Sequence, residues 1–272
     1  MTDRSGNPVN AVTGFLDFAA RLIGNENPTY IGFAFDESLS SSFRKELFPD
    51  YKAHREPAPP ELKYQFGLCR EFLSAAGFAE FASNRAEADD LIGSWVRASH
   101  QHNHAVCIVT GDKDLTQLVG ERDLWWEYDR DIRLDSKGVR KQHGVRPDQI
   151  ADLLALAGDQ SDNIPGVPGI GRVTAAKLLQ KFGSIDNLLS RTPEIGDSKL
   201  RGAKRIQSLV EEYRDAIHLS RQLTTIDCHV PIDEHRGLGR MPADRQKLED
   251  LFDLLQLTQG RRRRWISLIE RV

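Results

Sequence analysis

Cysteine is scarce: Cys69, Cys107 and Cys228 stand far apart, with no Cys-x-x-Cys spacing. An odd, scattered set cannot frame a disulfide scaffold and fits a reduced, cytoplasmic setting. No apolar run approaches the roughly 20 residues needed to cross a bilayer. The opening residues, Met-Thr-Asp-Arg-Ser-Gly-Asn-Pro, are polar and carry no apolar signal-peptide segment. A membrane partner and a secreted, disulfide-stapled class are therefore not expected. An overall basic excess is lacking too, because the formal net charge is −3, which taken alone speaks against a nucleic-acid partner.

The charge is segregated, however. Between Arg172 and Arg221 ten basic residues stand against six acidic ones, and the acidic excess lies elsewhere. Such segregation suits a protein that binds both cations and phosphates. The chain of 272 residues is long enough for one large domain or two ordinary ones.

The most informative stretch is Gly158-Asp-Gln-Ser-Asp-Asn-Ile-Pro-Gly-Val-Pro-Gly-Ile-Gly171, which runs into an amphipathic pattern from Arg172 to Phe182. Asp159 and Asp162 are three apart, so a helical turn would point both carboxylates the same way. Gly166, Gly169 and Gly171 alternate with Pro165 and Pro168. Glycines permit close backbone approach, and a helix N-terminus offers unpaired N–H groups to an anion. Singly, a Gly/Pro cluster is a turn, and paired aspartates are caps or solvated charges. Together and in this order they point to metal-dependent chemistry on nucleic acid.

Elsewhere the pattern alternates. Val12, Phe15, Leu16, Ala19, Leu22 and Ile23 predict a first helix. Thr29–Phe35 reads as a strand with Asp36 at its end. A helix over about 61–76 comes next, then one from Glu87-Ala-Asp-Asp90 to about Ser99. Ala105–Thr110 is a second strand, ending in Gly111-Asp-Lys-Asp114. This alternation implies an α/β fold with a parallel sheet flanked by helices and ligands beyond the carboxyl ends of its strands. Residues 38–64 are polar, basic, aromatic and weakly periodic, so an exposed, mobile segment is expected. From about Gln149 the pattern is helical, giving a division into 1–145 and 146–272.

Asp36, Glu87, Asp89, Asp90, Asp112, Asp114, Asp159 and Asp162 come from four separate segments. Asp112 and Asp114 would face one side of an extended chain, and Glu87 and Asp90 one side of a helix. If these groups converged without cations, repulsion would cost several kcal/mol per close pair. Oxygen-only ligands favour Mg²⁺ or Mn²⁺. Two such ions about 3.5–4 Å apart can activate a water and stabilise the leaving oxygen of a phosphodiester.

Ala34-Phe-Asp36, Phe43-Arg44, Tyr51-Lys-Ala-His-Arg55, Glu87-Ala-Asp-Asp90, Thr110-Gly-Asp-Lys-Asp114 and the 158–171 stretch occur in that order. This set resembles the 5′→3′ exonuclease/flap endonuclease family, which includes the 5′-nuclease domain of bacterial DNA polymerase I, over about Gly6 to Ile232. The resemblance implies a PIN-like nuclease core with a helical helix–three-turn–helix region. It also implies two-metal hydrolysis of DNA at 5′ ends and 5′ flaps, with RNA–DNA primers among the partners, by a monomer serving replication and repair. Glu87, Asp89, Asp90 and Asp112 match the tighter metal site, Asp114, Asp159 and Asp162 the other, and Asp36 a supporting position. Tyr51, Lys52 and Arg55 match an arch for the single-stranded 5′ end, with Tyr51 stacking a base and Lys52 clamping the scissile phosphate. Arg44, Gly166, Val167, Gly169, Ile170, Gly171, Arg172, Lys177 and Lys204 match DNA-contacting positions, and the loop carbonyls a K⁺ site.

The family begins with a strand ending in Asp-Gly, and here Ser5–Phe15 aligns with the segment just after that strand. A central strand and one ligand are thus expected to be missing, through a misplaced start or truncation rather than a natural variant acting mainly by binding DNA junctions. Neither Asp3 nor Asp17 is an expected substitute. His100, His102 and His104 read as a solvated loop, Trp125 and Trp126 as packing residues and Cys107 as a small buried hydrophobe. Arg261–Arg264 read as a solvated helix face or a DNA-backbone contact.

Overall fold

A computed structural model describes residues 1–37, 42–198, 200–233 and 237–270. Residues 38–41 of the candidate arch, and Lys199 of the basic stretch, lie outside them. The chain begins with α1 (Asn10–Glu26), β1 (Gly32–Asp36), α2 (Phe43–Leu47), α3 (Pro60–Ala75), β2 (Ala79–Ser83) and α4 (Ala88–Gln101). It continues with β3 (Cys107–Val109), β4 (Leu124–Glu127), β5 (Ile132–Leu134) and α5 (Ser136–His143). The remainder is helical: α6 (Ile150–Ala157), α7 (Arg172–Phe182), α8 (Ile185–Ser190), α9 (Pro193–Gly196), α10 (Ala203–Glu212), α11 (Arg214–Thr224), α12 (Arg245–Leu254) and α13 (Gln259–Ile269). This is the α/β-then-helical order that the sequence implies.

The residues pack as two compact units, each drawn from separated stretches. The first comprises Met1–Phe35, Glu56–Ser83 and Asp233–Val272, with β1 paired to β2. The apolar stripe of α1 buries Val12, Leu16, Ala19, Leu22 and Ile23, as its spacing predicts. The helix stops at Asn27, whose left-handed backbone (φ 42°) turns its N–H onto the Ile23 carbonyl, satisfying an orphan acceptor. At the centre of this unit the Trp265 ring packs edge-on against Phe72 at 4.9 Å and Phe78 at 6.1 Å. Asp17, off the stripe, takes Arg261 at 2.6 Å, and Arg262 takes Asp253 at 2.7 Å. Half of the Arg261–Arg264 run is therefore spent on intramolecular pairs.

The second unit comprises Asp36–Arg55 and Asn84–Ile232. Its sheet has the order β3-β4-β5, with β4 parallel to β3 (Ile108↔Trp125) and antiparallel to β5 (Trp126↔Arg133). The strands thus form two small sheets, and β3 is shorter than its apolar run. Cys107 lies on the exposed side of β3 and is not the buried hydrophobe expected, because alternation turns Ile108 inward instead. Trp125, 1 % exposed, joins Leu153, Leu156, Ala175, Leu178, Val210 and Ile217 in one core.

The expectation of an exposed segment over 38–64 holds for most of its described residues, 53–57 among them, but not for all. Residues 43–47 form α2, and 60–64 open α3 behind Pro60, a residue suited to a first helical turn. Arg44, Tyr51 and Lys52 are only 3 %, 2 % and 7 % exposed. At these three positions polar and aromatic side chains are used internally.

Trp265→Ala is expected to lower the unfolding free energy by about 3–5 kcal/mol through the cavity left between Phe72 and Phe78. Denaturant titration followed by circular dichroism measures it.

Candidate active site

Four short backbone devices aim the carboxylates, all within the second unit. Asp36 ends β1, and its Oδ1 accepts the Ala88 N–H at 2.8 Å, in the first turn of α4. Glu87 is the N-cap of α4, and its own N–H donates to Asp90 Oδ2 at 3.2 Å. Here the acids do two jobs, because carboxylates at a helix N-terminus are favoured electrostatically. Asp112 and Asp114 are not on extended chain as expected: the Asp114 N–H donates to Asp112 Oδ1 at 2.9 Å, turning the chain into a short 3₁₀ segment at Asp114–Leu118. The Trp125 indole N–H holds the Asp112 carbonyl at 2.7 Å, so a core residue anchors this turn. Nor are Asp159 and Asp162 on a helix. Asp159 and Ile164 exchange backbone bonds of 2.8 and 2.7 Å, and the tight turn between them presents Asp162.

Buried cations meet these acids. The Arg44 guanidinium grips Asp90 with two bonds of 2.8 and 2.7 Å and also donates to the Leu223 and Thr225 carbonyls. Asp90, wholly buried, further accepts the Asp227 N–H. Arg44 is therefore a structural counter-ion in this structure, not a surface DNA contact, and Asp90 is committed to it rather than open to a metal. Lys52 Nζ donates to Glu87 at 2.7 Å and lies 3.5 Å from Asp162. Its backbone is left-handed (φ 51°), a conformation that costs about 1–3 kcal/mol and concentrates at functional sites. The Tyr51 hydroxyl reaches Glu87 at 3.2 Å and Asp162 at 3.1 Å, so its ring is packed inside and not free to stack a base. Arg55 binds Asp162 at 2.7 Å. Ser42, which the sequence did not single out, also touches Glu87 through its hydroxyl.

The remaining acids repel one another. Asp89 is pushed up to about 7 by burial, then by Asp112, Asp36 and Glu87, with Lys52 opposing. Asp114 is likewise pushed up to about 7 by burial and by Asp112, Asp159 and Asp162, with Arg172 opposing. Asp162 is raised by burial against the pull of Lys52 and Arg55. Among the described residues no three acidic, His or Cys side chains converge at chelating distance. The acids are within electrostatic reach but held apart, as bare like charges are expected to be.

The glycine-rich loop divides in two. Gly166 (φ 59°) is required, since a Cβ there would lie 2.2 Å from the Gly158 nitrogen. Val167 and Ile170, each 2 % exposed, pack in the core, and their N–H groups bond the Leu156 and Val167 carbonyls. They are packing residues, contrary to their expected place among DNA contacts. Gly169 and Gly171 are exposed, and their N–H groups have no partner among the described residues. Arg172, Lys177 and Lys204 are exposed beside or beyond this loop. The sequence passed over Arg205, whose guanidinium stands 3.0 Å from where a Gly169 Cβ would be. Nothing in the pattern distinguishes it from Lys204.

Arg44→Met leaves Asp90 buried without its partner and is expected to cost about 3–5 kcal/mol, measured by denaturant unfolding; a DNA-contact role alone would leave stability unchanged. Asp89 and Asp114 ionise near 3.8 when unfolded and near 7 when folded. Their protonation therefore stabilises the metal-free fold fully below about pH 4, and that stability is lost as pH rises through about 7. The melting temperature in EDTA is expected to fall between pH 5 and 8, and to fall less in an Asp89→Asn/Asp114→Asn double variant.

Comparison with known proteins places this geometry. The model of the 5′-3′ exonuclease N-terminal resolvase-like domain matches residues 1–144, and that of the 5′-3′ exonuclease C-terminal SAM fold matches 145–246. DNA polymerase I of Geobacillus stearothermophilus is 40% identical over 258 residues, covering 90% of this chain and 28% of that protein. The Bacillus caldotenax enzyme is 38% identical over 248 residues, covering 89% and 28%. The chain thus spans little more than a quarter of the length of these relatives. Among solved structures, T5 5′-exonuclease with bound zinc ions superposes with a TM-score of 0.65 at 20% identity, covering 90% of this chain and 91% of that one. The catalytic core of Rad2 in complex with DNA substrate gives 0.63 at 14% identity, covering 99% and 86%; at these identities the likeness shows the fold. With both of its domain models matched in order along the chain, this protein belongs to the 5′-3′ exonuclease family.

Proposed function

We propose that the chain is a metal-dependent, structure-specific nuclease that hydrolyses DNA phosphodiesters at 5′ ends and 5′ flaps. The observation that carries this reading is the grouping of Asp89, Asp112 and Asp114 with Asp159 and Asp162, where burial first and neighbouring carboxylates second lift Asp89 and Asp114 to about 7, beside a loop with open N–H groups. Such a set fits hard divalent cations, because every donor is oxygen and each ion would relieve repulsion already present. Asp36, Glu87, Asp89 and Asp112 would hold one Mg²⁺ or Mn²⁺, and Asp114, Asp159 and Asp162 a second. Bound there, the ions would supply charge stabilisation and a water of lowered pKa.

The other residues bind and orient. Lys52, a buried cation in contact with Glu87 and close to Asp162, is the candidate phosphate clamp. Tyr51 and Arg55 fix the Asp162 turn against the arch segment. Gly169, Gly171, Arg172, Lys177 and Lys204 would take duplex phosphates, which position DNA without reading its sequence, with loop carbonyls available to K⁺. In this reading 1–145 carry most of the cutting chemistry, while 146–272 add Asp159 and Asp162 to it and supply the duplex grip. RNA–DNA primers share the required 5′-ended geometry.

The test is cleavage of a 5′-labelled flap duplex in Mg²⁺ or EDTA. Asp112→Asn is expected to lower the rate at least about 100-fold, from several kcal/mol of lost transition-state charge stabilisation, while flap binding persists. Binding by the wild-type chain without Mg²⁺-dependent cutting would replace the enzyme by a DNA-structure binder.

A further inference from the structure

A second basic face lies outside the site described above. From Arg133 to Arg146 five basic residues accompany one acid, Asp135. Asp135 is occupied as the N-cap of α5, accepting the Gly138 N–H at 2.7 Å. Val139 turns into the core, wholly buried, while Lys137, Arg140 and Lys141 are exposed. The side chains of these three have no ion-pair or hydrogen-bond partner among the described residues. Positions 137, 140 and 141 share one helix face at i, i+3 and i+4 spacing, where like charges oppose helix formation. Arg140 and Lys141, in the last turn, are offset by the helix dipole, but Lys137 sits in the first turn, where the dipole disfavours a cation. Local helix energetics therefore do not account for the set.

The end of α5 is fastened to α7. Gln180 donates to the Gly144 carbonyl at 2.6 Å, and the ideal Cβ position of Gly144 lies 3.3 Å from Ala176. Val173, Lys177 and Gln180 share one exposed face of α7, and Gln180 on that face reaches the residue that ends α5. Arg172 and Lys113 are close enough to His143, near the end of α5, to be felt electrostatically.

We propose that the exposed face of α5, formed by Lys137, Arg140 and Lys141, is a phosphate-contacting surface for the duplex gripped at the glycine loop. It rests on the DNA-nuclease reading and adds a surface to it. Eight residues make about 12 Å of helix, and that length of duplex carries about seven phosphate charges. Double-stranded rather than single-stranded DNA is the ligand because α5 carries no Phe, Tyr or Trp as a stacking platform. The nearby Trp126 ring is already covered by the Arg133 guanidinium at 3.7 Å.

The experiment compares the full chain with a Lys137→Gln/Arg140→Gln/Lys141→Gln variant in EDTA. It measures affinity for a 5′-flap duplex and for the single-stranded arm alone across a salt series. Because each released phosphate contact contributes about 0.9 to the log–log salt slope, the variant is expected to lose about 2–3 units of slope on the duplex and little on the single strand. A Lys137→Arg/Lys141→Arg variant keeps the charges and is expected to keep the slope. Normal melting of the glutamine variant with an unchanged duplex slope overturns the assignment. So does salt-dependent binding of anionic lipid vesicles that the variant loses while its duplex slope stays the same. Failure of the wild-type chain to bind any DNA overturns the nuclease reading itself, and this surface with it.

Discussion

The structure depends on how a crowd of carboxylates is kept together without collapsing the fold around them. Eight acids from four stretches of chain sit at or near the ends of short elements, several of them within electrostatic reach of one another. Two buried cations, Arg44 and Lys52, make that approach tolerable from beneath. A buried ion pair contributes little net stability, because desolvation consumes most of the Coulomb gain. Its effect is to fix position. With Asp90 saturated by Arg44, the Asp227 N–H and the cap of α4, the start of α4 has one orientation. Glu87 and Asp89 are carried with it.

The same kind of pair joins the 50–55 segment to the carboxylates. Beyond Lys52 and Arg55, the Lys52 N–H donates to the Asp162 carbonyl and the Asn163 side chain to the Asp50 carbonyl. The turn that presents Asp162 is thus built partly from the arch backbone. Residues that would meet the 5′ end and residues that would hold a cation share one hydrogen-bonded framework. On the opposite side the loop gives its buried positions, Val167 and Ile170, to the core and leaves Gly169 and Gly171 open. A rigid seat for exposed N–H groups is what an anion site needs.

Much of this was legible in the chain. The helical spacing of Val12, Leu16, Ala19 and Ile23 marked a buried stripe, and the Glu87–Asp90 spacing marked the start of α4. Periodicity and end signals are local properties and survive without the fold. The order of the acidic motifs and the glycine-rich loop likewise identified the family and the α/β-then-helical plan.

The partners of polar side chains were decided by tertiary structure. Arg44, Tyr51 and Val167 look in the sequence like contacts for DNA, because charge, an aromatic ring and a place in the loop are all that the sequence shows. Each is buried, with its partner or packing surface set by folding: Asp90 and Leu223 for Arg44 and Glu87 and Asp162 for Tyr51, all far along the chain, and Leu156 with the core for Val167. A side chain's composition states what it can bond. Whether it is spent inside or left for a ligand depends on burial and on groups brought close only by folding.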